Sequence, residues 1–296
     1  MSTPTTAERP KLEAKDFKGK VDPDWCPGCG DFGVLSCVQK AVAELGLRPH
    51  EILCVSGIGC SSNFPGFMNT YGMHTLHGRA LAVASGAKLA NKDLTVLVAG
   101  GDGDGYGIGG NHFLHIARRN IDLTYIVMNN QIYGLTTGQI SPTSTYGMKT
   151  KSTPFGSVEH PVNPLTTAIM AGATFVARGY SGDPKQLTSL TQEAIQHRGF
   201  ALLDVFSPCV TFNHDQTYEW FKPRVRKLEG HDPSDWKVAC EKAMLWGEEI
   251  YTGLFFKSTS RPPLDDLEPV LEGPPLARRP PALTDEQIQG ILKKML

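Results

Sequence analysis

Five short apolar runs dominate the chain: "EILCVSGIGCS", "LTVLVAGGDGDG", "DLTYIVMNN", "ATFVARGY" and "FALLDVFSP". Each stops at a turn, and stretches with helical spacing lie between them. Continuous apolar strands of this kind are buried on both faces, which a parallel sheet with helices on either side achieves. The sequence therefore predicts an α/β fold: one parallel sheet, right-handed connections and helices on both faces. In such a sheet ligands sit beyond the carboxyl ends of the strands, where the glycine turns of this chain also fall.

The helical stretches are "GVLSCVQKAVAELGL", "GRALAVASGAKLAN", "GNHFLHIARRN", "NPLTTAIMAGA", "DPKQLTSLTQEAIQHRG" and the helix-like "WKVACEKAMLWGEEI". Residues 1–23 are polar and read as an extended arm. Residues 24–257 read as the folded domain. Residues 258–296 are rich in proline and read as a tail, ending in a short helix with Thr284 as cap and Gln287 completing a capping box. The 296 residues are 40% hydrophobic and carry a net charge of −1, so a nucleic-acid partner is not expected. No apolar run is long enough to span a bilayer and no hydrophobic leader opens the chain, so a cytoplasmic protein without membrane attachment is expected.

Two stretches carry chemistry. The first starts at Asp102, just past one strand, and closes at Asn129–Asn130, just past the next. Neighbouring parallel strands lie about 4.8 Å apart, so Asp102 and Asn130 can meet. A carboxylate with an amide oxygen suits a hard cation, Mg²⁺ or Ca²⁺. Gly101, Gly103 and Gly105 let the backbone approach phosphate oxygens. A dinucleotide reading of Gly105, Gly107 and Gly110 as G-x-G-x-x-G would need an acid at the end of the next strand. Asparagines stand there, and Asp122 lies at the other end. GDG followed by NN resembles the diphosphate signature of thiamine diphosphate enzymes. That resemblance implies Mg²⁺ held by Asp102, the Asn130 side chain and the Ile132 carbonyl.

The second stretch is "DWCPGCGDFG". Of seven cysteines, Cys37, Cys54 and Cys240 sit inside helical or strand patterns and read as small hydrophobes. Cys26, Cys29, Cys60 and Cys209 all sit in turns. Four loop thiols suit either a zinc ion or a 4Fe–4S cluster. One close pair plus two distant singles fits a cluster better than the paired spacing of structural zinc. A thioredoxin-like role for Cys26 and Cys29 would leave Cys60 and Cys209 unexplained.

Together these features resemble the beta subunit of 2-oxoacid:ferredoxin oxidoreductases, over roughly residues 20–225. The likeness rests on "WCPGCG", "GIGCS", "HGRA", "GGDGD", "NNQIYGLTTGQ" and "SPC". It implies a pyrophosphate-type thiamine diphosphate domain with Cys26, Cys29, Cys60 and Cys209 on the cluster. Ile58, Gly59, Cys60, Ser61, His77, Gly101, Gly103, Asp104, Gly134 and Leu135 would line the thiamine diphosphate. For His77 the alternative is a histidine that only caps a helix start. The implied reaction joins a 2-oxoacid, coenzyme A and oxidised ferredoxin to give acyl-coenzyme A, CO₂ and reduced ferredoxin, or runs in reverse. "GDFG" and "EHPVNP" look most like the 2-oxoglutarate branch. Thr137 replaces a lysine frequent in pyruvate-type and broader relatives, so the pocket's charge differs. No motif presents the glutamate that activates the cofactor, and the sheet suffices for one domain. An alpha subunit is therefore expected to supply it, and the resemblance implies two copies of each chain. The other readings kept are a pyruvate or branched-chain enzyme, a non-redox thiamine diphosphate decarboxylase subunit, and a zinc-bound assembly subunit.

Overall fold

The computed structural model describes residues 11–279 and 283–295. Among them the strands are β1 (Ile52–Ser56), β2 (Tyr71–His74), β3 (Thr95–Gly101), β4 (Leu123–Asn129), β5 (Ile132–Tyr133), β6 (Gln139–Ile140), β7 (Phe175–Tyr180), β8 (Phe200–Phe206), β9 (Val225–Lys227) and β10 (Ile250–Lys257). The α-helices are α1 (Gly30–Glu44), α2 (Ala80–Ala90), α3 (Gly110–Arg119), α4 (Pro164–Ala171), α5 (Pro184–Gln196), α6 (Tyr218–Phe221), α7 (Trp236–Ala243), α8 (Leu264–Leu267) and α9 (Asp285–Met295).

Eight strands form one sheet in the order β2-β1-β3-β4-β8-β7-β10-β9, and β5 and β6 make a separate hairpin. Every residue of β1, β4, β7 and β8 is buried. Successive side chains go to opposite layers. Cys54, Leu97, Ile126, Ala177 and Leu203 face a layer shared with Val34 and Val38 of α1 and Leu187 of α5. Val55, Val98, Val127, Val176 and Leu202 face the layer of Ala84, Phe113, Leu165 and Ala239, from α2, α3, α4 and α7. Helix boundaries follow local chemistry. Pro164 and Pro184 open α4 and α5, and Asn163 and Asp183 accept the N–H groups of Thr166 and Gln186.

The sheet is parallel except at one end, where β10 runs antiparallel to β7. The five strands read from the sequence, β1, β3, β4, β7 and β8, are parallel as expected, and β10 is an addition to them. "WKVACEKAMLWGEEI" reads as one helix in sequence, but α7 stops at Ala243. Gly247, with φ 113°, then turns the chain into β10. β2 was also not legible, because all its residues are exposed and carry no burial pattern. It forms the open edge of the sheet, with Tyr71 and Met73 facing solvent.

Residues 1–10 of the expected arm lie outside the described residues, as do 280–282 and 296 of the tail. The rest of the arm is not free. Phe17 is fully buried, Gly19 N–H donates to Phe67 O, and Lys18 bridges Met68. The tail packs at the amino ends of the strands, where buried Asp265 accepts the N–H of Asp122. The cap of α9 is present: Thr284 N–H donates to Gln287 Oε1 and Gln287 N–H to Thr284 Oγ1.

The amino-end edge also holds a buried histidine. Thr174 donates its hydroxyl to Asn120 Oδ1, so His197 Nε2–H donates to Thr174 Oγ1 at 2.7 Å. Burial first, then the Lys257 charge, pulls its pKa from 6.5 to about 4. The unfolded imidazole takes a proton before the folded one does. Its contribution to stability is therefore complete above pH 6.5 and is lost as pH falls through the window to about 4. His197→Gln keeps a donor and cannot titrate. Thermal unfolding across that window should fall less steeply for this variant than for wild type, and parallel curves would refute the assignment.

Candidate functional site

The loops after β1, β3, β4 and β8 leave the sheet at one edge, because these four strands pair in parallel register. Strand order reverses direction between β1 and β3, the crevice where open α/β sheets bind ligands. The walls of that crevice include Ile58, Gly59, Cys60, Ser61, His77, Gly101, Asp102, Gly103, Asp104, Asn130, Ile132, Gly134 and Leu135. The fold thus brings the residues singled out for the diphosphate and its metal into one pocket.

Asp102 follows the last residue of β3 and is buried. Ser141 Oγ and Thr143 Oγ1 both donate to its Oδ2, the latter at 2.6 Å. Burial nevertheless pushes its carboxyl up to about 6, a cost that a bound cation offsets. Asn130 Oδ1 accepts the Ile132 N–H at 3.0 Å, which fixes the amide and leaves its second lone pair. Between them Gln131 adopts left-handed backbone, φ 58°, and turns the chain sharply before Ile132.

The glycines are needed for space. A Cβ on Gly103 would stand 2.2 Å from Tyr133 Cε1, and one on Gly105 1.9 Å from the Tyr125 hydroxyl. Tyr133 donates its hydroxyl to Gly103 O at 3.0 Å and so pins the turn. Behind it, buried Asp204 of β8 accepts from Tyr106 and from Asn129 Nδ2, tying the turn after β3 to the end of β4. Ser141, Thr143, Tyr106 and Asp204 were not foreseen. Hydroxyls and lone acids far apart in sequence have no spacing that marks them.

The four loop cysteines converge beside this pocket. Cys26, Cys29, Cys60 and Cys209 line a cavity of about 220 Å³ that also touches Asn130, Gly134 and Leu135. Pro27, then left-handed Gly28 with φ 86°, then Cys29 N–H on Cys26 O, is the pattern of a type II turn. Trp25 Nε1 donates to Cys60 O at 2.7 Å, and Gly30 N–H to Pro208 O at 3.1 Å. These bonds tie the hook to the loops carrying Cys60 and Cys209. A Cβ on Gly134 would lie 3.5 Å from Cys60 Sγ, 3.8 Å from Cys209 Sγ and 3.8 Å from Asn130 Nδ2. Burial, then the Asp31 charge, pushes the Cys60 thiol up to about 11. Burial, then Asp31, also raises the Cys29 thiol. Cys37 and Cys54 are buried in α1 and β1, and Cys240 is half-buried in α7.

Among the described residues no three His, Cys, Asp or Glu side chains converge on a single metal ion. Zinc would need sulfurs about 3.8 Å apart around one centre. A 4Fe–4S cluster takes one thiolate per iron and spreads them wider. Cys26, Cys29, Cys60 and Cys209, gathered on one cavity, offer one thiol for each iron of such a cluster. The same absence does not bear on Mg²⁺, for which Asp102 is the sole carboxylate in the expected ligand set.

Residues 57–205 match the family model of the thiamine pyrophosphate enzyme C-terminal TPP binding domain, and 209–273 that of the C-terminal part of the pyruvate ferredoxin oxidoreductase beta subunit. The chain is 50% identical over 250 residues to a 2-oxoacid:ferredoxin oxidoreductase subunit beta of Saccharolobus solfataricus, covering 79% of this chain and 82% of the relative. It is 51% identical over 210 residues to the 2-oxoglutarate oxidoreductase subunit KorB of Mycobacterium tuberculosis, covering 71% of this chain and 56% of the relative. It superposes with TM-score 0.89 on a chain of the 2-oxoglutarate:ferredoxin oxidoreductase from Magnetococcus marinus, solved with 2-oxoglutarate, coenzyme A and succinyl-CoA bound. That chain is 44% identical, and the match covers 96% of this chain and 97% of that one.

The glycine packing gives a direct test of the pocket. Gly103→Ala must displace the Tyr133 ring. Overpacking of this kind costs about 1–3 kcal/mol. The variant should unfold at lower temperature and bind thiamine diphosphate more weakly in calorimetry, and wild-type affinity would show that the turn does not form the pocket floor.

Proposed function

The chain belongs to the beta subunits of the thiamine diphosphate-dependent 2-oxoacid:ferredoxin oxidoreductases, and on that premise we propose that it carries both the diphosphate-anchoring and the electron-collecting half of a 2-oxoglutarate enzyme. The reaction in this reading is 2-oxoglutarate, coenzyme A and oxidised ferredoxin to succinyl-coenzyme A, CO₂ and reduced ferredoxin, or its reverse. The observation that carries it is the position of Gly134, where a Cβ would lie within 4 Å of a candidate metal-ligand amide and two candidate cluster thiols. Cys60, Asn130, Gly134 and Leu135 line both pockets.

The residues divide the work. Asp102, the Asn130 amide and the Ile132 carbonyl hold Mg²⁺, and the glycine turn after β3 presents backbone N–H groups to the diphosphate. Cys26, Cys29, Cys60 and Cys209 hold a 4Fe–4S cluster. When bound, thiamine diphosphate supplies the carbanion chemistry of decarboxylation and the cluster supplies one-electron transfer. Gly134 keeps the gap between them narrow. The activating glutamate comes from an alpha subunit, which also completes the substrate pocket, and the assembly holds two copies of each chain. The choice of 2-oxoglutarate rests on "GDFG" and "EHPVNP" and on the likeness to enzymes named for that substrate. The Saccharolobus relative is named only for 2-oxoacids, so the substrate needs its own measurement.

Co-expressed with its alpha-type subunit and purified without oxygen, the protein should be brown. It should give a kcat/KM for 2-oxoglutarate at least about tenfold above that for pyruvate, the scale of a lost charged contact. A preference for pyruvate would overturn the substrate. A colourless protein that still decarboxylates would favour the non-redox reading.

The ligand sets separate by mutation. Asp102→Ala should abolish thiamine diphosphate binding and leave iron content near wild type. Cys209→Ser should lose the cluster, because serine oxygen is a harder, poorer ligand to iron. Cys240→Ser should retain it. Iron lost from Cys240→Ser but kept in Cys209→Ser would mean that the cysteines are sorted wrongly.

A further inference from the structure

Asp104 lies two residues past Asp102 on the same turn, yet its carboxylate serves a different loop. It is buried, and its Oδ1 accepts three hydrogen bonds: from the Ile58 N–H at 3.0 Å, the Gly78 N–H at 2.7 Å and His77 Nδ1 at 2.6 Å. Its Oδ2 stands where a Cβ on Gly57 would be, 2.0 Å away. The carboxylate is therefore wedged against the start of the Gly57–Cys60 loop. Ile58 is two residues from Cys60, and Gly59 between them has φ 135°, a backbone that only glycine adopts freely. Two side chains fix this loop beside Cys60, and within it Ser62 N–H donates to Gly59 O. Asp104 holds it at Ile58, and Trp25 Nε1 holds it at the Cys60 carbonyl.

We propose that Asp104 is a positioning residue for Cys60: a carboxylate on the diphosphate turn that holds the cluster-ligand loop in place, so that the two sites share one anchor. This rests on the reading that the loop cysteines hold a 4Fe–4S cluster. Charge-assisted bonds to backbone N–H groups are the stronger class, and a buried N–H left without a partner is costly. Without Asp104 the Ile58 and Gly78 N–H groups lose their acceptor. The Gly59 hinge then lets the loop turn, and the Cys60 sulfur leaves its place. His77 loses its Nδ1 partner at the same time, so the anchor also orients the ring that faces the thiamine diphosphate pocket.

The test uses the chain co-expressed with its alpha-type subunit and purified anaerobically. Iron and sulfide per chain, visible absorbance, the rate of iron loss to a ferrous chelator and thermal unfolding are measured for wild type, Asp104→Ala, Asp104→Asn and Gly57→Ala. Asp104→Ala should lose iron about tenfold faster than wild type, although no cluster ligand is touched. Asp104→Asn keeps a carbonyl oxygen for Ile58 and Gly78 and should recover most of the retention. Gly57→Ala keeps the carboxylate but pushes it off the loop, so it should reproduce the loss. Added to Asp104→Ala it should change little, because the wedge is already gone. Should Asp104→Ala fail to fold, the other two single variants still decide. Wild-type iron retention in Asp104→Ala, or in Gly57→Ala, overturns the proposal. So does an Asp104→Asn variant as labile as Asp104→Ala with an equal drop in unfolding temperature, which would mark a general structural role. A wild type without iron removes the cluster reading, and this proposal with it, and its missing colour distinguishes that failure from the others.

Discussion

Parallel pairing of β1, β3, β4 and β8 is the constraint from which the site follows. Parallel strands send every following loop out at the same edge, and each return passes over a face of the sheet. Residues about 150 positions apart, such as Cys60 and Cys209, are neighbours only because β1 and β8 end level with each other. The two faces are filled by the helices, so the carboxyl edge is where polar groups can gather. The antiparallel β10 lies beyond β7 and leaves this edge untouched.

The edge gathers acids. Asp31, Asp102, Asp104 and Asp204 are all buried there, and each is held by donors from the protein. Burial raises the carboxyls of Asp31, Asp102 and Asp204, so donors do not fully offset the lost hydration. Among the described residues, only Asp204 of these four has a buried cation close by, Arg178 at 3.8 Å. Asp102 has two hydroxyls in place of a cation. The arrangement suits a site where the missing positive charge arrives with the ligand.

The fold was legible because its signal is local. Each fully buried strand reads as an apolar run, and each ends at a turn, marked by glycine, asparagine, serine or proline. The candidate ligands were legible for a related reason: cysteines in turns, and Asp102 and Asn130 at strand ends, break the pattern around them. Exposed β2 and the helix-like prelude to β10 carried no such signal. The supporting polar groups were hidden for a different reason. Ser141, Thr143, Tyr106 and Asp204 act through distance and angle, which only the folded backbone defines. Asp104 shows the limit most clearly. Its position in the glycine turn points to the cofactor, while its three hydrogen bonds all go to the chain itself.

The open strand β2 bears on how this polypeptide behaves before it meets a partner. A sheet edge with free backbone donors and acceptors, carrying Tyr71 and Met73 toward water, is a template for pairing with another edge. The strand is only four residues long, which limits the grip of any such pairing. A lone copy in dilute solution is thus tolerated, but a crowded pool of them invites stacking edge upon edge.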